Sequence, residues 1–392
     1  MLTISLTRHP HARKELLLEK QLRVVSRSGL NPTELALIQR LPSLQVNVSG
    51  KLTAPLFLGG RTGALAMALW LTRGNDLQGP CRVHTFDAHT QKILQRNLDE
   101  NRAPSSLFSV ETTLAVETFA AESNLVFWQM TKGDGTAERD LDTLERLLCP
   151  STVGPRQILV AADELNETFL KRFKKHCSHV TVRREGTISL LVGVVTSPLS
   201  NEDRASRRAT FEVSIKGHDP LTLVTYPGCF CHRRADMGGL ALTEVVAENV
   251  GFEKGDRVMD MGCGCGMDGI LLAMAFPEKK LRIDYQDSNA AAILSTQENL
   301  VAYPHEARVI FSAEGEGKPK SYDLFLANPP YFGDWRIAEF FVQTAAKLLK
   351  KGGLIAFVSK REGKPTELLE AAGFTLLNTF QRRGYTILLA VL

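Results

Sequence analysis

Residues 255–275, GDRVMDMGCGCGMDGILLAMA, place an apolar strand, a turn with glycine at every second position and an apolar helix end to end. Few folds accept that order. Glycine tolerates positive φ and lets the backbone approach a ligand closely. At the carboxyl end of a parallel strand, such a turn is where doubly wound sheets bind small molecules. The pattern then repeats. KLRIDYQDSNAAAILSTQENL (280–300) reads as a strand ending in an acid and then a helix, and SYDLFLANPPY (321–331) as another strand. AEFFVQTAAKLLKKGG (338–353) reads as a helix closing on glycines, as helix ends prefer. LIAFVS (354–359) is a further strand, and FTLLNTFQRRGYTILLAVL (374–392) a hairpin-like end. Strands alternating with helices of this length predict an α/β fold with a mostly parallel, doubly wound sheet.

The first half carries the same order. TAPLFLGGRTGALAMALWL (53–71) is again strand, glycine turn and helix, and CRVHTFDAHTQKILQRNLDENR (81–102) a strand ending in an acid before a helix. SNLVFWQMTKGDG (123–135) stands for the strand that ends in NPPY, followed by a helix through LDTLERLL and the strand QILVAAD. Asp87 and Asp287 are 200 residues apart, Gly59 and Gly262 are 203 apart, and duplication explains the spacing. At 392 residues the chain is too long for one ordinary core. The expected division is a domain at 1–197, a polar linker at 198–208 and a second domain at 209–392. ATFEVSIKGHDPLTLVTYPG (209–228) suggests two antiparallel strands ahead of the second sheet.

Chemistry concentrates in the second half. The spacing of the glycines is not G-x-G-x-x-G, and no Lys-Ser/Thr pair marks a P-loop. Asp260, before glycines 262, 264 and 266, can accept from an ammonium group. Asp287, ending the next strand, is placed to accept from ribose hydroxyls. That set suits a cofactor with a ribose and an amino-acid tail. Asn328-Pro329-Pro330-Tyr331 ends the strand after that. Two prolines remove two backbone donors and fix two φ angles, which makes either a plain strand-ending turn or a rigid platform of acceptors beside an aromatic face.

These residues resemble class I S-adenosylmethionine-dependent methyltransferases. The order glycine turn, strand-end Asp and NPPY is similar to the enzymes that methylate exocyclic base nitrogens or glutamine amides. Pro227-Gly228-Cys229-Phe230 with Asp236-Met237-Gly238-Gly239-Leu240-Ala241-Leu242 resembles the PGVF…LDxGSxLLL stretch of the RsmC/RlmG group, ribosomal RNA guanine-N2 methyltransferases. The resemblance implies two tandem Rossmann-like methyltransferase domains, the N-terminal one degenerate and the C-terminal one active. It implies S-adenosylmethionine as cofactor, held by Asp260, Gly262, Cys263, Gly264, Gly266, Asp287 and Ser288. Phe311-Ser312-Ala313-Glu314 falls where the adenine is contacted, so Ala313 and Glu314 join the set. Asn328, Pro329, Pro330 and Tyr331 become the catalytic residues, with Tyr331 stacking on the base. The group usually has phenylalanine at that place, so an adenine amine or a protein glutamine stays open as the acceptor. A catalytically dead RNA-binding scaffold is the alternative of another class.

The implied partner is ribosomal RNA or a ribosomal subunit, met by a monomer. Residues 216–392 hold 20 Lys and Arg against 21 Asp and Glu, so of the net +4 the first 215 residues carry +5. Basic residues cluster at the start (Arg8, Arg13, Lys14, Lys20, Arg23, Arg27) and in KRFKKHCSHVTVRR, 171–184. Such a face is either merely solvated or a phosphate-binding surface, and the basic N-terminal half is the expected RNA contact. Aligning the glycine turns sets Phe57 opposite Asp260 and Arg61 opposite Gly264, with Met130-Thr131-Lys132 at the NPP position, so no cofactor is expected in the first half. Cys229, Cys231 and His232, and Cys263 with Cys265, lack paired zinc-ligand spacing, and no metal is expected. Phe332 and Trp335 either wall the base pocket or pack in the core. No apolar run spans a bilayer, no signal peptide is apparent, and seven cysteines form no disulfide framework. A cytoplasmic protein is expected.

Overall fold

A computed structural model of the chain describes residues 2–7, 13–16, 18–26, 29–44, 51–130, 137–330, 335–361 and 363–392. It divides into two units, Met1–Arg207 and Arg208–Leu392. Tyr331, Phe332 and Asp334 lie outside the described residues, as do Arg8, Arg27, Thr131 and Lys132.

In the first unit a seven-stranded sheet comprises β1 (Leu56–Leu58), β2 (Cys81–His84), β3 (Phe108–Glu111), β4 (Leu125–Met130), β5 (Gln157–Ala162), β6 (Cys177–Glu185) and β7 (Ile188–Val195). Their spatial order is β3-β2-β1-β4-β5-β7-β6. The first five are parallel, and β7 runs antiparallel to both β5 and β6. Every residue of β5 is buried, which is why QILVAA reads as an unbroken run rather than an alternation: helices cover both faces of a parallel sheet. Helices α1 (Pro32–Arg40), α2 (Ala64–Arg73) and α3 (Ala88–Glu100) include the two that follow β1 and β2. Three further strands, Leu2–Thr7, Arg13–Leu16 and Leu18–Val25, pair among themselves. Residues expected to form the linker are fastened to this unit: Leu199 N–H donates to the Leu148 carbonyl at 2.8 Å, and Arg207 pairs with Glu145 at 2.9 Å.

The second unit begins with the expected antiparallel pair, β8 (Ala209–Val213) and β9 (Leu221–Thr225). Its main sheet holds β10 (Arg257–Met261), β11 (Arg282–Asp287), β12 (Glu306–Phe311), β13 (Tyr322–Ala327), β14 (Leu349–Ser359), β15 (Thr375–Arg382) and β16 (Tyr385–Val391). The spatial order is β12-β11-β10-β13-β14-β16-β15, again with five parallel strands and an antiparallel final hairpin. Strand for strand, this is the order of the first unit. The helices that position the site are α4 (Met237–Asn249), α5 (Met267–Ala275), α6 (Ala290–Ala302) and α7 (Arg336–Leu348). One expectation fails locally. Gly352 and Gly353 do not cap α7, which ends at Leu348; they sit inside β14, where the ladder to β13 shifts register. A Cβ on Gly353 would lie 3.1 Å from the Tyr322 carbonyl oxygen, so the glycine serves a close strand approach instead. Trp335 is half-buried and packs against the core of this unit.

Candidate functional site

The two central strands of the second unit deliver the site. Asp260 pairs with Leu326 across β10 and β13, so both strands release their turns at the same edge of the sheet. After β10 the backbone enters the left-handed region three times, at Gly262 (φ 72°), Gly264 (φ 57°) and Gly266 (φ 79°). The alternating glycines of the sequence are therefore required one by one. Gly262 and Cys263 N–H groups donate to the Gln286 carbonyl at 2.8 and 3.1 Å, tying the turn to β11. The Gly264 N–H donates to Asp287 Oδ2 at 3.0 Å, and Asn289 N–H donates to Asp287 Oδ1 at 2.8 Å. A Cβ on Gly264 would meet nothing within 4 Å, so its face of the turn is open. Cys263 and Cys265 are buried thiols packed under the turn, and burial pushes Cys265 up to about 12, which keeps it protonated.

Three carboxylates gather behind the turn. Asp260 is 3% exposed and accepts from the Gly269 N–H at 3.1 Å; burial, with Asp287 nearby, raises its carboxyl to about 7. Asp268, in the first turn of α5, is 8% exposed. Burial and the negative charges of Asp260 and Asp236 hold it well above the usual carboxylate range. Burial also raises Asp287 against the backbone N–H groups that stabilise its anion. A cationic ligand would relieve all three.

A fourth carboxylate links this cluster to the strand-end motif. Asp236 is the N-cap of α4, accepting from the Gly238 and Gly239 N–H groups at 3.2 and 3.1 Å. Its Oδ2 also accepts from Asn328 Nδ2 at 2.5 Å. Asn328 is half-buried and Pro329 buried. Tyr385, opening β16, reaches the same place: its Cε1 lies 3.2 Å, and Asn328 Oδ1 3.5 Å, from where a Cβ on Gly238 would stand. Lys360 Nζ sits 5.4 Å from the Tyr385 ring centroid. Asp268, Tyr385 and the contact of Asp236 with Asn328 were not legible from sequence, because their partners lie far along the chain. Tyr331 falls outside the described residues.

Around the far wall, Ser312 N–H donates to the Asp287 carbonyl at 3.0 Å. Buried Gln286 donates through Nε2 to the Glu314 carbonyl and accepts from the Glu316 N–H at 3.0 Å, which shapes the 312–316 loop. Ala313 is half-buried and the Glu314 side chain exposed, while Ser288 is half-buried directly after Asp287. Among the described residues, no group of three or more His, Cys, Asp or Glu side chains could hold a metal ion. None of their helices is long and apolar enough to cross a membrane.

Strand register allows residue-by-residue comparison with the first unit. Phe57 pairs with Val83 and Phe127 as Asp260 pairs with Tyr285 and Leu326. Phe57 thus stands at the place of Asp260, and Arg61 at that of Gly264, as expected. Two correspondences change. Asp87 answers to Asn289, not Asp287, both being helix N-caps; Thr85 takes the place of Asp287. Gln129, not Met130, stands opposite Asn328. Phe57 stacks on Phe127 with centroids 5.2 Å apart. Glu34, fully buried on α1, holds both carboxylate oxygens 2.8 Å from the Thr62 hydroxyl and also bonds Gln129, and burial raises its carboxyl. A cleft of about 330 Å³ opens at this edge, lined by Arg61, Phe86, Asp87 and Arg139 among others.

The family model of the methyltransferase small domain matches residues 220–389. The chain is 29% identical over 195 residues to ribosomal RNA small subunit methyltransferase C of Stutzerimonas stutzeri, covering 49% of this chain and 56% of that one. It is 28% identical over 300 residues to the protein of that name from Serratia proteamaculans, covering 74% and 79%. The chain spans about half the length of the first curated relatives it matches. A solved T. thermophilus 16S rRNA N2 methyltransferase (RsmC), in complex with AdoMet and guanosine, superposes with a TM-score of 0.72 at 21% identity, over 99% of this chain and 97% of that one. At that identity the superposition speaks for the fold. The resemblance read from the sequence is borne out.

Proposed function

We propose, from the premise that residues 220–389 form a methyltransferase small domain, that the chain transfers a methyl group from S-adenosylmethionine to the exocyclic N2 amine of a guanine in ribosomal RNA. The observation that carries this reading is the release of the acid–glycine turn and of Asn328-Pro329 at one sheet edge by adjacent parallel strands. The residues fit the cofactor. The buried carboxylates of Asp260 and Asp268 call for a cation, Asp287 is an acceptor set for ribose hydroxyls, and Gly264 leaves open space beside the turn. When bound, S-adenosylmethionine supplies an electrophilic methyl group. In this reading Ser288, Ala313 and Glu314 complete the walls of that pocket, and Cys263, its thiol buried, contributes only backbone.

The protein's own contribution is orientation. A guanine amine is a poor nucleophile because its lone pair is delocalised into the ring. Asn328 Oδ1 and the Pro329 carbonyl, each accepting one of its hydrogens, draw the nitrogen out of that plane. Alignment of this kind contributes several kcal/mol, on the order of a preorganised dipole pair. Pro329 and Pro330 hold the acceptors rigid. The base must leave its stack to reach them, and Tyr331 is its stacking face. Asn328→Ala is expected to lower kcat by on the order of 100-fold while S-adenosylmethionine affinity stays nearly unchanged. Turnover near the wild-type rate in that variant refutes the assignment.

The first unit, in this reading, is a degenerate copy that binds no S-adenosylmethionine and positions RNA. Phe57 cannot pair with an ammonium, and Thr85 offers no carboxylate for ribose. Glu34, Thr62 and Gln129 bond one another where an amino-acid tail would lie. Helix Glu167–His176 and edge strand β6 support the RNA contact, exposing Lys174, Lys175, Arg183 and Arg184.

A further inference from the structure

We infer that Asp236 is a positioning residue: it fixes which end of the Asn328 amide faces the target amine. The inference rests on the reading of Asn328 as the amine's acceptor. An amide has an accepting oxygen and a donating nitrogen of nearly the same shape. Beside an exocyclic amine, which donates, only the oxygen is productive; an inverted amide sets donor against donor. Asp236 removes that freedom because an ionised carboxylate only accepts. With its Oδ2 receiving Asn328 Nδ2, the other end, Oδ1, is left for the amine.

The carboxylate is itself held. Its Oδ1 takes the Gly238 N–H and its Oδ2 the Gly239 N–H, so the helix start fixes its plane. The glycines that follow have separate tasks. A Cβ on Gly238 would stand 3.5 Å from Asn328 Oδ1 and 3.2 Å from Tyr385 Cε1, crowding the space beside the acceptor. A Cβ on Gly239 would strike Asp268 Oδ1 at 2.5 Å. Asp-Met-Gly-Gly is therefore a steering device as well as a helix start.

The competing role, a plain N-cap, is separable because asparagine caps as well as aspartate. In Asp236→Asn the single side-chain oxygen satisfies the glycine N–H groups and the amide nitrogen turns to Asn328, inverting it. The folded variant should bind S-adenosylmethionine within about threefold of wild type but lose kcat on the order of 100-fold, with KM for RNA little changed. The reciprocal swap, Asp236→Asn with Asn328→Asp, restores a donor facing an acceptor and presents a carboxylate oxygen to the amine. It should recover kcat at least tenfold over Asp236→Asn alone. Asp236→Ser, another good cap with a shorter side chain, supplies the test if Asp236→Asn fails to fold and should show the same kcat loss. Wild-type kcat in the folded Asp236→Asn or Asp236→Ser variant, or a swap no better than the single change, overturns the inference. A wild-type protein that binds S-adenosylmethionine but methylates no guanine overturns the parent reading instead.

Discussion

In the proposed reading, Asp260 should make cofactor affinity depend on pH. Its carboxyl sits at about 7 because burial penalises the anion. At that value ~9% is ionised at pH 6 and ~50% at pH 7. If the anion pairs with the cofactor's ammonium, the dissociation constant should fall about fivefold between pH 6 and pH 7. Measurements should stop near pH 7.5, since an α-amino group itself titrates near 7.7–8.0. Asp260→Asn should bind more weakly at pH 7.5 and show no such slope. The stability effect has the opposite sign. An acid whose pKa is raised on folding binds more protons folded than unfolded between the two values. Stability from this group is therefore present below about pH 4 and is lost as pH rises through about 7. Without cofactor, Asp260→Asn should thus melt above wild type at pH 8. Isothermal titration at pH 6, 6.5, 7 and 7.5, with thermal melts, checks both. A wild-type dissociation constant flat across that range, or an Asp260→Asn variant of equal affinity, refutes the ammonium pairing.

Gly239→Ala should destabilise the second unit by about 1–3 kcal/mol through overpacking against Asp268, read by thermal denaturation; Gly238→Ala, facing a movable tyrosine, should cost less. Arg156 is a buried guanidinium donating to the carbonyls of Ser123, Leu147 and Cys149 at 3.2, 2.6 and 2.9 Å. Arg156→Leu leaves those acceptors unpaired and should destabilise the first unit by about 3 kcal/mol or more, seen in urea unfolding followed by Trp70 and Trp128 fluorescence. Lys174→Glu with Lys175→Glu should weaken RNA binding uniformly across sequences and reduce the log–log salt slope by about 1 for each phosphate no longer neutralised; an unchanged slope would remove this face from the RNA-binding surface.

Much of the fold was legible because its signals are local. Glycine at 262, 264 and 266 declares a left-handed turn, and a run such as QILVAA declares a strand buried on both faces. The repeated order of elements then carried the parallel strands of both sheets, whereas their spatial order and the antiparallel pair of the first unit come from the ladders. The proposed site is legible as far as single positions allow: Asp260 and Asn328 are marked by what immediately follows them. Register was not legible, since sliding a strand by one residue leaves its apolar content nearly intact. Residue identity pairs Asp87 with Asp287 although its capping role answers to Asn289, and only the ladder sets Gln129, not Met130, opposite Asn328. Asp268 was hidden inside an apolar helix, and nothing local announces that Asp236 reaches a residue 92 positions on. Gly352 and Gly353 look like a helix end because the backbone they bond, that of Leu392, lies about 40 residues downstream in the chain.

The proposed reaction targets one amine on one kind of base. Ribosomal RNA from cells lacking the protein can be incubated with S-adenosylmethionine and either wild-type protein or Asn328→Ala, then digested to nucleosides for mass spectrometry. Wild type is expected to restore one missing N2-methylguanosine, and Asn328→Ala is expected not to. N6-methyladenosine, or no methylated nucleoside at all, would contradict the proposed reaction.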